Sequence, residues 1–123
     1  MYNIRGEFSY PVANTGLYQY TSRREDIGKF RAPTLRNIAV TAPYMHDGSI
    51  STLSEVIDHY AAGGRTISAG PYAGIGHDNP NKAPNVHGFK VTESEKNDLI
   101  AFLNSLTDTE FLKNPSLSDP WKR

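Results

Sequence analysis

KFRAPTLRNIAVTAPYMHDGSISTLSEVIDHY, residues 29–60, is the stretch that decides the fold. Thr52 and Glu55 form a capping box, in which each side chain satisfies the backbone N–H of the other residue, and they predict a helix over residues 53–62. The apolar residues recur at helical spacing and give that helix one apolar face: Leu53, Val56, Ile57, Tyr60 and Ala61. A Pro-Tyr-Met-His-Asp-Gly turn precedes the helix and Gly63-Gly64 ends it, so the stretch has the form of a segment that encloses a cofactor.

The composition predicts one domain with a thin core. The chain has 123 residues, of which only 37% are hydrophobic, and its 10 glycines and 8 prolines indicate many turns and loops. Lysine plus arginine equals aspartate plus glutamate at 13 each, and this balance argues against binding to nucleic acid or an anionic membrane. No apolar run reaches the length of a membrane span, and the first residues lack the apolar core of a secretory signal.

The metal-binding capacity of the sequence is limited. The absence of cysteine excludes disulfides, thiolate metal sites and a cysteine nucleophile. It also excludes thioether attachment of haem, which requires a Cys-x-x-Cys-His motif. The four histidines are spaced 13, 18 and 10 residues apart, which matches no zinc pattern, and His59 is predicted on the polar side of its helix.

A second helix is predicted over residues 93–106. Thr92 and Glu95 form its capping box, and its apolar stripe is Leu99, Phe102, Leu103 and Leu106. Pro33 could start a short helix that continues through Ile38. Residues 1–28 are predicted to be irregular, and residues 65–91 form a long loop of the kind that is functional or packs against something else.

Several residues allow both a functional and a structural interpretation. His46 and Asp47 could form part of a site wall, or the turn could be held by an Asx-type hydrogen bond with Gly48 at positive φ. Tyr60 could be a core tyrosine or a phenolate ligand, and the Met45 thioether could pack or bind iron. Gly70, Gly74 and Gly76 suggest a phosphate loop, but no strand precedes them and no helix opens there, so loop formation is the better account.

Three motifs in the sequence resemble the C-terminal haem domain of bacterial di-haem cytochrome c peroxidases. They are FRAPTLRN at 30–37, TAPYMHDG at 41–48 and TLSEVIDHY at 52–60. EKNDLIAFL at 95–103 resembles the last helix of a cytochrome c fold, and the resemblance extends over residues 16–108. It implies a mainly α, partial cytochrome c-like domain at 29–108, with few helices, long irregular loops, an irregular segment at 1–28 and a tail at 109–123.

The resemblance implies that Tyr60 is an iron ligand. In this family the residue 14 places after the turn histidine is the distal axial ligand of the C-terminal haem, and Tyr60 stands where ordinary peroxidases have methionine. That is similar to the subgroup of methylamine dehydrogenase maturation enzymes and methanobactin-associated di-haem enzymes. A phenolate is a hard anionic donor that favours ferric and higher iron states and lowers the reduction potential. Met45 is then a packing residue.

Other residues take roles from the same resemblance. Arg31 and Arg36 are expected to contact the haem propionates, although either could instead form a surface ion pair. His46 is expected in the wall of the haem pocket. Thr41 and Pro43 match positions whose backbone carbonyls bind an interdomain Ca²⁺, a hard cation that takes oxygen ligands.

The chain departs from the family because it has neither of the two Cys-x-x-Cys-His haem sites. We therefore expect a fragment of a di-haem, peroxide-dependent oxidoreductase that transfers electrons through c-type haems, inactive by itself. Its partners would be a haem-bearing N-terminal region or chain, and an electron-donor protein or protein substrate. The resemblance implies the periplasm. The alternative is a haem-free module that binds a partner protein or self-associates, for example as a homo-oligomer.

Overall fold

Short α-helices and one small antiparallel sheet make up the regular structure of the computed structural model, which describes residues 14–70, 73–118 and 121. The helices are α1 (Tyr18–Thr21), α2 (Leu53–Ala61), α3 (Glu93–Ser105) and α4 (Thr109–Lys113). Strands β1 (Thr66–Ile67) and β2 (Gly74–Ile75) pair with Thr66 opposite Ile75. Turns of 3₁₀-helix lie at Arg24–Asp26, Ile38–Val40, Gly76–Asp78 and Pro115–Leu117. The predicted mainly α architecture with long irregular segments is confirmed. No described helix is both long and apolar enough to cross a membrane.

Both predicted helices and their capping boxes are confirmed. Before α2, the Glu55 N–H donates to Thr52 Oγ1 (3.2 Å) and the Thr52 N–H donates to Glu55 Oε2 (3.0 Å). Thr92 and Glu95 repeat this arrangement before α3, at 3.3 Å and 2.8 Å. These bonds satisfy N–H groups that have no partner within the first turn of a helix. Each helix ends one residue before its predicted boundary.

The prediction of a short helix starting at Pro33 is wrong. Residues 31–35 have no regular structure, and the 3₁₀ turn comes later, at Ile38–Val40. Asn37 explains the difference, because its φ of +61° is left-handed and interrupts a right-handed helix. The Asn37 N–H donates to the carbonyl of Leu106 (3.0 Å), and its Oδ1 accepts from the backbone N–H of Asp108 (2.6 Å). The end of α3 therefore determines the conformation of this segment.

The segments predicted to be irregular contain short regular elements. Residues 1–13 lie outside the described residues, but 14–28 contain α1 and a 3₁₀ turn. The 65–91 loop contains both strands, and the 109–123 tail contains α4. Each of these elements is shorter than two helical turns or is a two-residue strand, so none produces an apolar periodicity that can be read from the sequence.

The core is as thin as the composition predicts. Among the described residues, the buried hydrophobic side chains are Ile50, Leu53 and Ile57. Helix α2 provides two of these and packs against α3, where Lys96 Nζ contacts both carboxylate oxygens of Asp58 at 2.7 and 2.8 Å. Lys96 is buried, whereas in the apolar stripe of α3 Leu99 and Phe102 are exposed and Leu103 and Leu106 are half-buried. The core thus lies around α2 and the turn before it, and α3 is joined to it by an ion pair.

Candidate functional site

Tyr60 lies in the last turn of α2 with 43% of its surface exposed. Leu53 and Ile57, on the same helix, are buried and fix how α2 sits on the core. The Asp58–Lys96 ion pair holds the helix from the side of α3. An accessible phenol on a helix anchored in this way can act as a ligand, because the backbone beneath it is not free to move.

His59 is buried, so its predicted place on the polar side of the helix is wrong. Only 5% of its surface is exposed, and its Nδ1 accepts a hydrogen bond from the backbone N–H of Arg65 at 3.3 Å. Burial, with a smaller contribution from the Arg65 charge, lowers the His59 pKa from 6.5 to about 4. The imidazole is therefore neutral at neutral pH. Its ring stands edge to face with the Tyr60 ring, with centroids 5.3 Å apart and planes at 87°.

The loop after α2 folds back onto the end of that helix through closely packed glycines. A Cβ on Gly63 would lie 2.9 Å from the Gly88 nitrogen, and one on Gly64 would lie 2.6 Å from the Gly76 carbonyl carbon. The Phe89 N–H donates to the Ala61 carbonyl (3.0 Å). These glycines allow backbone segments to touch, which is the structural interpretation of the glycine-rich stretch.

The ammonium group of a lysine lies against the carboxyl end of α2. Lys82 Nζ donates to the Gly63 carbonyl at 3.1 Å. Carbonyls just beyond a helix carry partial negative charge, so a lysine there both satisfies a lone pair and complements the helix dipole. The same loop thus holds the end of α2 by backbone packing and by charge.

The turn before α2 has the predicted Asx-type hydrogen bond. Asp47 Oδ1 accepts from the Ser49 N–H at 3.1 Å, and Gly48 has a φ of +65°. Tyr44 and Ile50 exchange backbone hydrogen bonds of 2.7 and 3.4 Å across the turn. Arg65 Nη1 donates to the Ser49 carbonyl (2.9 Å), which joins this turn to the loop after α2.

His46 lies flat against Phe30. The two ring centroids are 4.0 Å apart with planes at 20°, and burial lowers the pKa of His46 below its usual value. This stack joins the 29–37 segment to the turn. Met45 has a φ of +71°, a conformation that few non-glycine residues adopt.

Arg31 and Arg36 are both exposed, on the segment that Asn37 fastens to α3. Arg31 lines an open depression of about 350 Å³ together with Tyr20, Lys29 and Phe30. Within the described residues, no hydrogen bond, ion pair or ring contact joins either arginine to Tyr60.

The positions matched to the calcium site lie beside the 3₁₀ turn. Thr41 Oγ1 donates to the Ile38 carbonyl at 3.1 Å, and the Ala42–Pro43 peptide bond is cis. Across 14–70 and 73–118, no three His, Asp or Glu side chains converge as they would around a metal ion.

Three residues that organise the site were not identified from the sequence: Asn37, Arg65 and Lys96. For Lys96 a signal existed, since it lies three residues before Leu99 and seven before Leu103, on the apolar stripe of α3. A lysine in such a stripe indicates a partner carboxylate. Asn37 and Arg65 gave no comparable signal, because their partners are distant in sequence or are backbone atoms.

Comparison with known proteins shows one consistent group of relatives, although no protein-family model matches the chain. Over 95 residues the chain is 41% identical to cytochrome-c peroxidase IdrP1 of Denitromonas iodatirespirans, a match that covers 77% of this chain and 22% of the relative. It is 31% identical over 102 residues to the methylamine utilization protein MauG of Methylorubrum extorquens, covering 83% of this chain and 23% of that protein. The chain therefore spans less than a quarter of the length of these curated relatives.

A solved structure agrees with the sequence matches. It is the crystal structure of a MauG-like protein associated with microbial copper homeostasis. The two folds superpose with a TM-score of 0.90 and 52% sequence identity, over 99% of this chain and 35% of the solved one.

Proposed function

This chain is related to the C-terminal part of the di-haem cytochrome c peroxidases and MauG proteins, and we propose that it supplies the distal wall and axial ligand of a haem in a peroxidase-type oxidoreductase. The observation that carries the proposal is the exposure of Tyr60 on α2. Its phenol is accessible on a helix that is anchored by the buried Leu53 and Ile57 and by the Asp58–Lys96 pair. A ligand needs both properties, access to the metal and a fixed backbone.

The chemistry of the Tyr60 oxygen fits a ligand of a c-type haem. Haem supplies the redox chemistry when bound, and an anionic oxygen ligand favours its oxidised states. Tyr60 provides the oxygen, and the neutral imidazole of His59 beside it adds no positive charge. Since the chain has no cysteine, covalent attachment of the haem would come from a haem-bearing region or a second chain. The chain by itself would then be inactive.

The exposed arginines and His46 complete the proposed wall. Arg31 and Arg36 would pair with haem propionates, for which the bidentate guanidinium is well suited. The His46–Phe30 stack would hold the arginine-bearing segment against the turn. Arginine-to-glutamine variants at either position should weaken haem binding without changing the Tyr60 ligand spectrum.

Calcium binding by the Thr41 and Pro43 carbonyls is part of the same proposal. Calorimetric titration of the chain with Ca²⁺, alone and with its haem-bearing partner, tests it. Binding only with the partner present would support an interdomain site, and no binding in either case would remove it.

The activity, location and partners of the complete protein follow as proposals. The complete assembly would carry out peroxide-dependent oxidation in the periplasm, and it would exchange electrons with a donor protein or a protein substrate. A peroxidase assay on the chain with and without a haem-bearing partner distinguishes the assembly from the inactive single chain.

The test of the ligand uses two tyrosine variants. Ferric haem is titrated into the chain, and the Soret and visible bands are recorded for the wild type, Tyr60→Phe and Tyr20→Phe. Tyr20 is the matched control because it is an exposed phenol, 85% accessible, on α1 and not on α2. The wild type and Tyr20→Phe should share a tyrosinate-ligand spectrum that Tyr60→Phe loses. An unchanged spectrum in Tyr60→Phe would show that Tyr60 is not the ligand.

The exposed stripe of α3 supports a second candidate function, a haem-free module that binds a partner or self-associates. Leu99 is 40% exposed and Phe102 is 55% exposed. Light scattering of the colourless chain over a range of concentrations, with Phe102→Glu as the variant, tests this. A dimer that Phe102→Glu dissociates would favour it, and a monomer at all concentrations would count against self-association.

A further inference from the structure

His59 is held more firmly than the residue beside it. Its ring is 5% exposed, whereas the neighbouring Tyr60 is 43% exposed and projects from the same helical turn. Residues adjacent on a helix point about 100° apart, so one can be buried while the other faces outward. The two rings still touch, with centroids at 5.3 Å and planes nearly perpendicular.

Two hydrogen bonds hold His59 from the following loop. Its Nδ1 accepts from the Arg65 N–H at 3.3 Å, and its carbonyl accepts from the Gly64 N–H at 2.9 Å. Arg65 is held in turn by the Ser49 carbonyl at 2.9 Å, beyond the other end of α2. The Arg65 N–H therefore fixes the imidazole, and the Arg65 side chain ties that contact to the turn before α2.

We propose that His59 is a positioning residue for Tyr60, and that its fixed ring sets the direction in which the phenol leaves α2. The inference rests on the proposed role of Tyr60 as a ligand. A half-exposed tyrosine has several rotamers open to it, and a rigid ring against one side removes some of them. The ligand oxygen is then oriented before the metal arrives.

Two substitutions separate this role from that of an ordinary core residue. His59→Asn retains an acceptor for the Arg65 N–H but removes the ring that touches Tyr60. His59→Phe retains a buried ring but removes the acceptor. If His59 only holds the loop, His59→Asn should leave Tyr60 undisturbed and His59→Phe should be the harmful change. A positioning role predicts the opposite for Tyr60.

The first measurement is NMR on the haem-free chain with labelled tyrosine, in which Tyr60→Phe assigns the Tyr60 ring signals. The wild type should show cross-peaks between the two rings and χ1 coupling constants of Tyr60 that correspond to one rotamer. His59→Asn should average those couplings over several rotamers, while His59→Phe keeps them at one rotamer and makes the Arg65 amide exchange about five to ten times faster. Equal averaging in both variants would overturn the proposal, as would a single rotamer in His59→Asn. If His59→Asn does not fold, a His59→Phe chain in which the Tyr60 couplings are averaged still overturns it.

The second measurement is titration with ferric haem. His59→Asn should bind about five to ten times more weakly than His59→Phe, because its Tyr60 must be ordered on binding. Equal affinities of the two variants would overturn the positioning role. If the wild type takes up no haem even with a haem-bearing partner present, the ligand role of Tyr60 fails, and the NMR result still decides whether His59 orients that ring.

Discussion

Helices α2 and α3 begin in the same way and are buried very differently. Each has a Thr-x-x-Glu capping box with both hydrogen bonds formed. The nine residues of α2 include three that are buried, Leu53, Ile57 and His59, whereas the thirteen residues of α3 include only Lys96. An apolar stripe thus identifies the face that a helix can bury, but whether that face is covered depends on what lies opposite it.

Substitution of an apolar residue by alanine should give the largest difference in unfolding free energy between α2 and α3. Ile57→Ala should lower the free energy of unfolding by about 2–4 kcal/mol, because it leaves a cavity in a very small core. Phe102→Ala on α3 should change it by no more than about 0.5 kcal/mol, since that side chain is already 55% exposed. Urea unfolding followed by circular dichroism measures both. A comparable loss for Phe102→Ala would mean that the stripe of α3 is packed in solution.

Acidification should act on α2 through His59. The folded pKa of about 4 is below the ordinary 6.5, so between these pH values the unfolded chain binds a proton that the folded chain does not. Stability is then complete above pH 6.5 and decreases by about 2–3 kcal/mol as the pH falls to about 4. The difference in unfolding free energy between the wild type and His59→Phe, measured as a function of pH, isolates this contribution. A difference that is flat with pH would contradict the burial of a neutral His59.

Asn37 tests how the end of α3 is fastened to the rest. Asn37→Ala should lower the free energy of unfolding by about 1–3 kcal/mol, because it leaves the Asp108 N–H without its acceptor and strains a left-handed residue. Asn37→Gly removes the same acceptor without the strain and should be about 1 kcal/mol more stable than Asn37→Ala. Equal stabilities of the two variants would show that the backbone conformation at this position has no energetic consequence.

Substitutions in the Asp58–Lys96 pair measure how much this bond between α2 and α3 contributes to stability. Lys96→Met keeps most of the buried stem and should cost about 1 kcal/mol, because Asp58 is largely exposed and solvent weakens the pair. The loss should shrink in high salt. A double-mutant cycle with Asp58→Asn isolates the pair, and a coupling energy of zero would show that the bond does not join α2 to α3.

The smallest difference between the two helices should come from the caps that they share. Thr52→Ala and Thr92→Ala should each cost about 1 kcal/mol, because each removes one cap of the same kind. Thermal unfolding of the two variants provides the comparison. A much larger loss for one of them would place the difference between α2 and α3 in their caps, and not in what they face.

Much of the secondary structure could be predicted because it depends on near neighbours. The capping boxes, the helix bounds to within one residue and the Asx turn at Asp47 all arise from hydrogen bonds two or three residues apart. The prediction failed for His59 and for the helix from Pro33, where a remote segment determines the outcome. His59 is covered by the returning loop, and Asn37 is turned left-handed by the end of α3.

The candidate site also contains features that the sequence indicated and a contact that it could not indicate. The motifs around 29–60 related the chain to the haem peroxidases and selected Tyr60 as the proposed ligand, a role that stays a prediction, as do those of Arg31, Arg36, His46, Thr41 and Pro43. The ring of His59 against Tyr60 could not be foreseen, because helical spacing says which way a side chain points and not what covers it.

By itself, the sequence determined where α2 and α3 begin and end, how they are capped, and that the core is thin, because these follow from local hydrogen bonding and composition. Only the tertiary structure decided that α2 is covered and the stripe of α3 is not, that His59 is inside, and that Lys96 and Asn37 join distant segments. Those bonds connect residues 38 and 71 positions apart. Burial is a property of neighbours in space, and no local pattern can specify which neighbours the chain will bring together.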